Sequence, residues 1–378
     1  MEYITDDKKI IRIKYDGQIS LATGKSKKEV HWKNKNMLYS ALVEKLTTTT
    51  RTPETYAEYK KMPKTDRDNI KDVGGFVGGS LKNGRRKAEN VANRTVLSLD
   101  LDYVNGDVWS SIEMLWDFGC AMYSTHTHAP DNQRLRLVIP LSRPVLPDEY
   151  QAISRMVADD LGIDQFDDTT YEPSRLMYWP STSADGEYVF KVQDLPWLDP
   201  DEVLARYTFG WQDVSYWPES SRARAKITSD IKRQEDPLEK KGVIGAFCRT
   251  FSTSGAIAEF LDDIYTAGAD DTRYTFTDGS TSGGLVVYDD KFSFSHHGTD
   301  ATSGILCNAF DLVRIHKFGH LDDDAKEDTP INRMPSFTRM TEFASSNDKV
   351  MQTLGKERME KSQEDFGRSE ERRVGKEG

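Results

Sequence analysis

Two aspartates lie two residues apart in the stretch TVLSLDLDY, residues 95–103. If this stretch is a β-strand, Asp100 and Asp102 share one face, about 7 Å apart along the backbone. The opposite face is continuously apolar, which fixes the register of the strand. Paired carboxylates at this spacing favour a hard divalent cation such as Mg²⁺ or Mn²⁺. The alternative is the solvated outer face of an edge strand, and the pair alone leaves both interpretations open.

Further side chains suited to phosphoryl transfer follow in order along the chain. Each of the next two predicted strands, 120–128 and 134–141, carries two basic side chains on one face, and a later segment carries two aspartates and an arginine. These residues are His126, His128, Arg134, Arg136, Asp167, Asp168 and Arg175. Carboxylates for metal ions, with imidazole and guanidinium groups for a triphosphate, are sufficient for two-metal phosphoryl transfer. Each residue also has an ordinary structural interpretation, and it is their order and spacing that favour the chemical one.

The elements that position these side chains predict an antiparallel or mixed sheet backed by helices, the α+β class. Residues 174–181 and 187–192 predict two more strands, and residues 148–163 have helical spacing. Upstream, two pairs of glycines within residues 74–79 indicate close backbone approach. A basic cluster, which we expect to contact DNA, follows the glycines. It consists of Lys82, Arg85, Arg86 and Lys87.

Charge divides the chain into a basic beginning and an acidic remainder. Residues 1–94 carry 21 Lys/Arg and 12 Asp/Glu, net +9, whereas the rest carries 30 and 50, net −20, for a total of −11. This asymmetry suits a protein that holds a polyanion on one side, although ordinary solvated faces would give it too. We predict five segments: a basic N-terminal module (1–94), a catalytic core (95–207), a linker (208–241), a smaller α+β accessory domain (242–322) and a polar tail (323–378).

The remaining composition argues for a cytoplasmic protein. The three cysteines are far apart and show no CxxC spacing, so we expect no disulfide framework. No stretch approaches the roughly 20 apolar residues of a membrane span, and the N-terminus has no apolar signal segment. A zinc site is conceivable in the C-terminal half, but structural histidines are the better interpretation. The residues concerned are His296, His297, Cys307, His316 and His320.

The ordered set LSLDLD, STHTH and FDD with PSRLMYWPS resembles the three motifs of the archaeo-eukaryotic primase superfamily, which are DxD, sxH and a hydrophobic-Asp motif. GGFVGGSLKNGRRKAENV, THAPDNQRLRLVIPLSRP and FSHHGTD with NAFDLVRIHKFG are similar to phage and plasmid primases at the N-terminus of virulence-associated-E-type primase-helicases. The similarity runs from about residue 10 to about residue 335. It implies an RRM-like primase sheet with flanking helices, followed by the smaller accessory domain.

The resemblance also implies a function and roles for single residues. The function is that of a DNA primase-polymerase of phage or mobile-element replication in the host cytoplasm, which transfers nucleotides from NTP or dNTP on a single-stranded DNA template with Mg²⁺ or Mn²⁺. The implied metal ligands are Asp100, Asp102 and Asp167, with Asp168 as the alternative third ligand. The implied triphosphate contact is His126 or His128, and the guanidinium chemistry described above adds Arg134, Arg136 and Arg175. Replacing Asp100 and Asp102 by alanine is expected to abolish incorporation and to leave folding intact.

Full members of this group continue into an ATPase with the motif GxxxxGK[ST], which this sequence lacks. Gly24-Lys25-Ser26 is not preceded by a glycine at the required position, so it is a basic loop and no phosphate cradle. We therefore expect a helicase domain or subunit outside this chain.

Two other functions stay open at this point. His126-Thr127-His128 is similar to the histidine metal site of rolling-circle nicking endonucleases, with Tyr150 as the only nearby candidate nucleophile. A nickase, however, needs no DxD strand. A non-catalytic module could bind single-stranded DNA by stacking bases on Trp32 and Phe76, but it leaves the carboxylates without a role. We rank the polymerase first, the nickase second and the binding module third.

Overall fold

The computed structural model describes residues 12–268, 270–325 and 329–374, and the chain forms two compact units. The first unit runs to residue 226 and includes two later segments, 278–284 and 296–304, while the second comprises the rest. Helices combined with mainly antiparallel sheets confirm the α+β class. Within the described ranges, no helix is long and apolar enough to cross a membrane.

The first unit contains eleven strands and six complete helices among its described residues, and a seventh helix begins in it. The strands are β1 (Gln18–Gly24), β2 (Lys33–Leu38), β3 (Thr50–Arg51), β4 (Gly75–Val77), β5 (Gly79–Leu81), β6 (Val91–Leu101), β7 (Cys120–Ser124), β8 (Leu135–Val145), β9 (Met177–Tyr178), β10 (Ser181–Thr182) and β11 (Phe190–Gln193). The helices are α1 (Tyr39–Leu46), α2 (Tyr56–Lys61), α3 (Lys64–Ile70), α4 (Val108–Leu115), α5 (Pro147–Asp160), α6 (Pro200–Leu204) and α7 (Ser221–Arg233).

An antiparallel five-stranded sheet, in the order β11-β7-β8-β6-β5, forms the centre of this unit. Alternation along β6 sends Leu97, Leu99 and Leu101 into a core with residues of α4 and α5. On its other face Val96 packs against residues of a second sheet, β2-β1-β4-β9. Because β6 is covered on both faces, Asp100 does not lie on the solvated face of an edge strand.

A positive φ angle at one position and close backbone approach at another explain two of the predicted glycines. Gly74 has φ of +80°, which side-chain-bearing residues rarely adopt. A Cβ added to Gly79 would lie 1.9 Å from the Asn93 carbonyl oxygen, so only glycine lets β5 pair so closely with β6. The glycines therefore place the basic cluster at the edge of the central sheet.

The second unit has its own antiparallel sheet, β12-β13-β14-β15-β16, and its own apolar core. Its chain forms a hairpin that turns at residues 289–290 and a helix that begins at Ala309. The strands are β12 (Tyr265–Ala267), β13 (Arg273–Phe276), β14 (Leu285–Tyr288), β15 (Phe292–Ser295) and β16 (Leu306–Asn308). The helices are α8 (Gly242–Thr250), α9 (Thr253–Phe260), α10 (Ala309–Phe318), α11 (Pro335–Ser345) and α12 (Asp348–Val374).

The segments predicted as linker and tail differ from that expectation. Within 208–241, Val214 and Trp217 are buried in the core of the first unit, and helix α7 follows. Within 323–378, Met340 and Leu354 are buried in the core of the second unit, on α11 and α12. These contacts are made by a few apolar residues that are widely spaced in otherwise polar segments. The polar composition of the segments therefore did not predict the contacts. Residues 326–328 and 375–378 of the predicted tail, and 1–11 of the predicted N-terminal module, lie outside the described residues.

Candidate active site

Three of the predicted carboxylates come together where β6 ends. Asp100 is the penultimate residue of β6, and Asp102 follows the strand directly. The segment that carries Asp167 runs antiparallel to this end: Leu101 pairs with Phe166, and the Asp167 N–H donates to the Asp100 carbonyl at 2.9 Å. Backbone hydrogen bonds therefore hold a distant loop beside the two strand-end aspartates.

Asp100 and Arg136 form a buried, two-pronged ion pair. They are register partners on β6 and β8, with Nε–Oδ1 at 2.5 Å and Nη2–Oδ2 at 3.1 Å. Arg136 also donates to the Tyr123 hydroxyl at 3.0 Å and to the Tyr178 carbonyl at 2.8 Å. Burial lowers the pKa of Arg136, but Asp100 and Tyr123 outweigh it and raise the pKa above its usual value. The structure thus makes Arg136 the partner of Asp100 and not the open triphosphate contact that was predicted.

The other two carboxylates also face arginines, but at more open positions. Asp102 pairs with Arg134 at 3.2 Å, and Asp167 pairs with Arg175 at 3.3 Å. All four side chains keep about a quarter or more of their surface exposed. Pairs exposed to this degree contribute little stability, so they can be exchanged for a ligand at low cost.

Asp102 experiences the negative charges of the other two carboxylates. Its pKa is raised by burial and by the negative charges of Asp100 and Asp167, against the lowering effect of Arg134. Across the described parts of the chain, no three His, Cys, Asp or Glu side chains are already arranged as a metal-holding group. In this conformation the arginines supply the countercharge to the carboxylates. Three carboxylates that repel one another are a set of oxygen donors that fits a divalent cation.

Asp168, the alternative third ligand, contacts Ser220 and Arg222. Its carboxylate accepts from the Ser220 hydroxyl at 2.5 Å and lies 3.9 Å from Nε of Arg222. The Asp167 carboxylate instead accepts from the N–H and the hydroxyl of Thr169, at 3.1 and 2.7 Å. Of the two predicted alternatives, the geometry favours Asp167.

The two histidines lie in a turn and not on the strand, which ends at Ser124. Nδ1 of His126 lies 3.0 Å from the Ser181 hydroxyl, and Nε2 lies 3.2 Å from the Glu54 carboxylate. Burial lowers the pKa of His126, against the raising effect of Glu54. Since both ring nitrogens have protein partners, His126 holds this turn in place and has no nitrogen left for a nucleotide.

His128 holds the backbone of Arg134. Its Nδ1 accepts from the Arg134 N–H at 3.1 Å, and the Arg134 carbonyl accepts from the Thr125 N–H at 2.9 Å. The side chain is buried, and burial lowers the pKa of His128, which favours the neutral imidazole that can accept this bond. The histidine turn therefore fixes the arginine that pairs with Asp102.

Two substitutions separate this backbone role from the predicted phosphate contact. His128→Asn places an oxygen near the position of Nδ1 and should retain stability and nucleotide KM. His128→Gln should leave the Arg134 N–H unpartnered, at a cost of about 1–3 kcal/mol in the free energy of unfolding, and should raise KM. Thermal unfolding and steady-state kinetics of both variants check this. A phosphate contact through Nε2 would reverse the order, with glutamine the milder change.

Within the basic cluster, Lys82 is exposed and the other three residues are partly buried. Nη1 of Arg86 donates to the Ser174 carbonyl at 3.4 Å, and its guanidinium lies 5.3 Å from the centre of the Trp32 ring. Ser174 adjoins Arg175, so the cluster lies beside the segment that carries the third ion pair.

Arg94 is a positioning residue that the sequence analysis missed. It is fully buried, and it donates to the carbonyls of Gly78 and Pro173 at 3.1 and 2.6 Å. Its guanidinium lies 3.9 Å from the centre of the Tyr150 ring. Arg94 thereby joins the glycine-rich segment to the loop that follows Asp167. The available signal was a charged residue directly before the apolar alternation of β6, where burial requires hydrogen bonds.

The structure argues against both alternative functions. Tyr150 is fully buried, with its hydroxyl 3.2 Å from the Ser98 carbonyl and 3.3 Å from the Thr170 carbonyl, so it cannot attack DNA. Trp32 and Phe76 are 3% and 0% exposed, so neither offers a face on which a base could stack.

Two of the four histidines considered for a zinc site contact hydroxyl groups of other side chains. His297 lies 2.7 Å from the Thr281 hydroxyl in the first unit, and His316 lies 2.8 Å from the Tyr265 hydroxyl in the second. These contacts agree with the interpretation as structural histidines.

The chain was compared with solved structures, curated proteins and protein-family models. The AEP domain of the cyanophage S-2L primase-polymerase (PrimPol) is similar at 16% identity over 50% of this chain and 88% of that domain, with a TM-score of 0.27. No curated protein matches the chain. The family described as VapE N-terminal domain matches residues 4–220, and this confirms the predicted similarity to the virulence-associated-E group. Because the match spans more than half of its 378 residues, the chain belongs to the VapE N-terminal domain family.

Proposed function

We propose that this protein is a DNA-templated nucleotidyltransferase, a primase-polymerase that uses two-metal phosphoryl transfer from NTP or dNTP. The observation that carries the proposal is the convergence of Asp100, Asp102 and Asp167 at the end of β6, with Arg134 and Arg175 beside them. Carboxylates for cations and partly exposed arginines for phosphates are what phosphoryl transfer requires, because its catalysis consists mainly of positioning and charge stabilisation.

In this proposal the three carboxylates hold Mg²⁺ or Mn²⁺, which when bound neutralises charge on the phosphates and activates the attacking hydroxyl. Arg136 stays with Asp100, because their pair is buried and Arg136 also donates to the Tyr123 hydroxyl and the Tyr178 carbonyl. Arg134 and Arg175 release Asp102 and Asp167 and bind the nucleotide phosphates. Arginine suits that exchange, since its planar fork binds carboxylate and phosphate equally well.

The template is proposed to be single-stranded DNA, held by the basic N-terminal part of the chain. Replacing Lys82, Arg85, Arg86 and Lys87 by serine should weaken DNA binding and make its salt dependence shallower, by about 0.7 in the log–log slope per lost phosphate contact. DNA affinity measured over a salt series without nucleotide tests this.

The matched control removes four positive charges elsewhere, from Lys232, Arg233, Lys240 and Lys241. It should leave the slope unchanged. Arg86 contacts Ser174, which adjoins Arg175, a proposed triphosphate contact. The competing role for the cluster is therefore binding of the triphosphate. An unchanged slope in the quadruple variant of the cluster would eliminate the template role and favour the competing one.

The proposed activity is tested by primer-free synthesis and primer extension on single-stranded DNA, with ribo- and deoxynucleotides and with Mg²⁺ or Mn²⁺. Products whose length grows along the template support the proposal. Nicking of the template without synthesis would favour the endonuclease instead. Membership of the VapE family further supports a role in replication beside a helicase domain or subunit, in the cytoplasm of a bacterial host.

A further inference from the structure

A cleft of about 320 Å³ lies beside Asp102, between the loop that follows β6 and the loop that joins β7 to β8. Side chains with polar groups dominate its lining. They include the side chains of Asp102, Tyr103, Asn132, Gln133 and Arg134. The volume is in the range of small-molecule sites, which are roughly 300–1,000 Å³.

Backbone hydrogen bonds hold both walls of this cleft. On one side, the N–H groups of Tyr103 and Asn105 donate to the carbonyl and the side-chain oxygen of Gln165, at 3.0 and 2.9 Å. On the other, Ala129 and Asn132 exchange two backbone hydrogen bonds, at 3.2 and 3.0 Å. The cleft is therefore formed before any ligand binds, as small-molecule sites usually are.

Tyr103 presents an aromatic surface to this cleft. The residue is 52% exposed, and the guanidinium groups of Arg222 and Arg134 lie 4.0 and 5.7 Å from the centre of its ring. Arg222 is itself fixed, because it donates to the carbonyls of Asp164 and Phe166 at 2.5 and 2.7 Å. An exposed ring held in this way is a platform on which a planar base can stack.

Asn132 and Gln133 line the same cleft. Within the described ranges, neither amide has a hydrogen-bond partner in the protein. Amides both donate and accept, so they match the edge of a nucleobase or the hydroxyls of a sugar. An aromatic platform, two open amides and a neighbouring carboxylate and arginine fit a nucleoside that carries phosphates.

We propose that this cleft binds the base and sugar of the incoming nucleotide, with its phosphates directed toward Asp102 and Arg134. This inference rests on the proposed function and adds a nucleoside subsite, which the motif residues do not provide. Stacking on Tyr103 contributes affinity without selecting one base, and the two amides orient the nucleoside.

The test compares two probes by calorimetry in Mg²⁺ without DNA: a dATP analogue with a non-hydrolysable α,β-bridge, and inorganic tripolyphosphate. Wild-type protein should bind the analogue more tightly. Tyr103→Ala should reduce this advantage about ten-fold and leave tripolyphosphate affinity unchanged. Tyr103→Phe should keep the advantage, and Asn132→Ala with Gln133→Ala should lose part of it. Tyr216→Ala, at another half-exposed tyrosine, is the matched control and should change nothing.

The outcomes separate this subsite from the proposed function. If wild-type protein prefers the analogue and Tyr103→Ala and the double amide variant keep the full preference, the subsite is wrong and the function stands. If wild-type protein binds both probes equally, no nucleoside subsite exists. If it binds neither, the proposed function fails together with the subsite. Loss of affinity for both probes in Tyr103→Ala, with Tyr103→Phe normal, would assign Tyr103 to the phosphates and overturn the proposal.

Discussion

Asp102→Asn should reduce nucleotide incorporation by about 10³-fold and leave the unfolding temperature almost unchanged. Metal-ion catalysis contributes several kcal/mol to a transition state, and each 1.36 kcal/mol is a factor of ten in rate. The stability effect is small because Asp102 is 38% exposed on its side chain and, among the residues that the structure describes, pairs only with Arg134, at 3.2 Å. Primer extension and thermal unfolding of the same preparation measure both effects.

The matched control is Asp117→Asn, the same change at an exposed aspartate outside the site. It should be neutral in both measurements. Mn²⁺ binding measured by electron paramagnetic resonance adds a second readout, and it should weaken in Asp102→Asn only. Full incorporation in Asp102→Asn, or a loss of folding that accounts for the lost activity, would refute the role of this carboxylate.

Asp100→Ala should destabilise the first unit by roughly 3–5 kcal/mol, because it leaves the buried charge of Arg136 uncompensated. This prediction differs from the expectation from sequence that both aspartates can be replaced without harm to folding. Arg136→Met should cost a similar amount, since it leaves the Asp100 carboxylate buried and unpaired. The double variant should recover a large part of the loss but none of the incorporation, because stability needs the pair and catalysis needs the carboxylate.

Chemical unfolding of the two single variants and the double variant measures this coupling. Asp201→Ala is the matched control, because Asp201 pairs with Arg143 at an exposed position and should not affect stability measurably. Additive losses in the double variant would mean that the Asp100–Arg136 pair is no energetic unit. Full activity in the double variant would remove Asp100 from the proposed site.

The central sheet could be predicted from sequence because it obeys local rules. The alternation of β6, the two following strands and the helix after β8 all carry their period in the sequence. The convergence of Asp167 with Asp100 came from the resemblance and the order of motifs. No local pattern shows that residues 67 positions apart share a backbone hydrogen bond.

The parts that could not be predicted depend on long-range contacts between polar side chains. Glu54 lies 72 residues before His126, and no periodicity links the two. Arg136 was assigned to the strand face that carries open basic groups, but the register opposite Asp100 buries it.

Single-nucleotide incorporation on templates that differ at one base tests the central claim most directly. Each of four primed DNA templates, identical except for the first unpaired base, is offered all four dNTPs separately with Mn²⁺. If Asp100, Asp102 and Asp167 catalyse templated transfer, the nucleotide that is added follows the template base, and Asp102→Asn adds it about 10³-fold more slowly. Addition that ignores the template base, or that proceeds at the full rate in Asp102→Asn, would contradict the account.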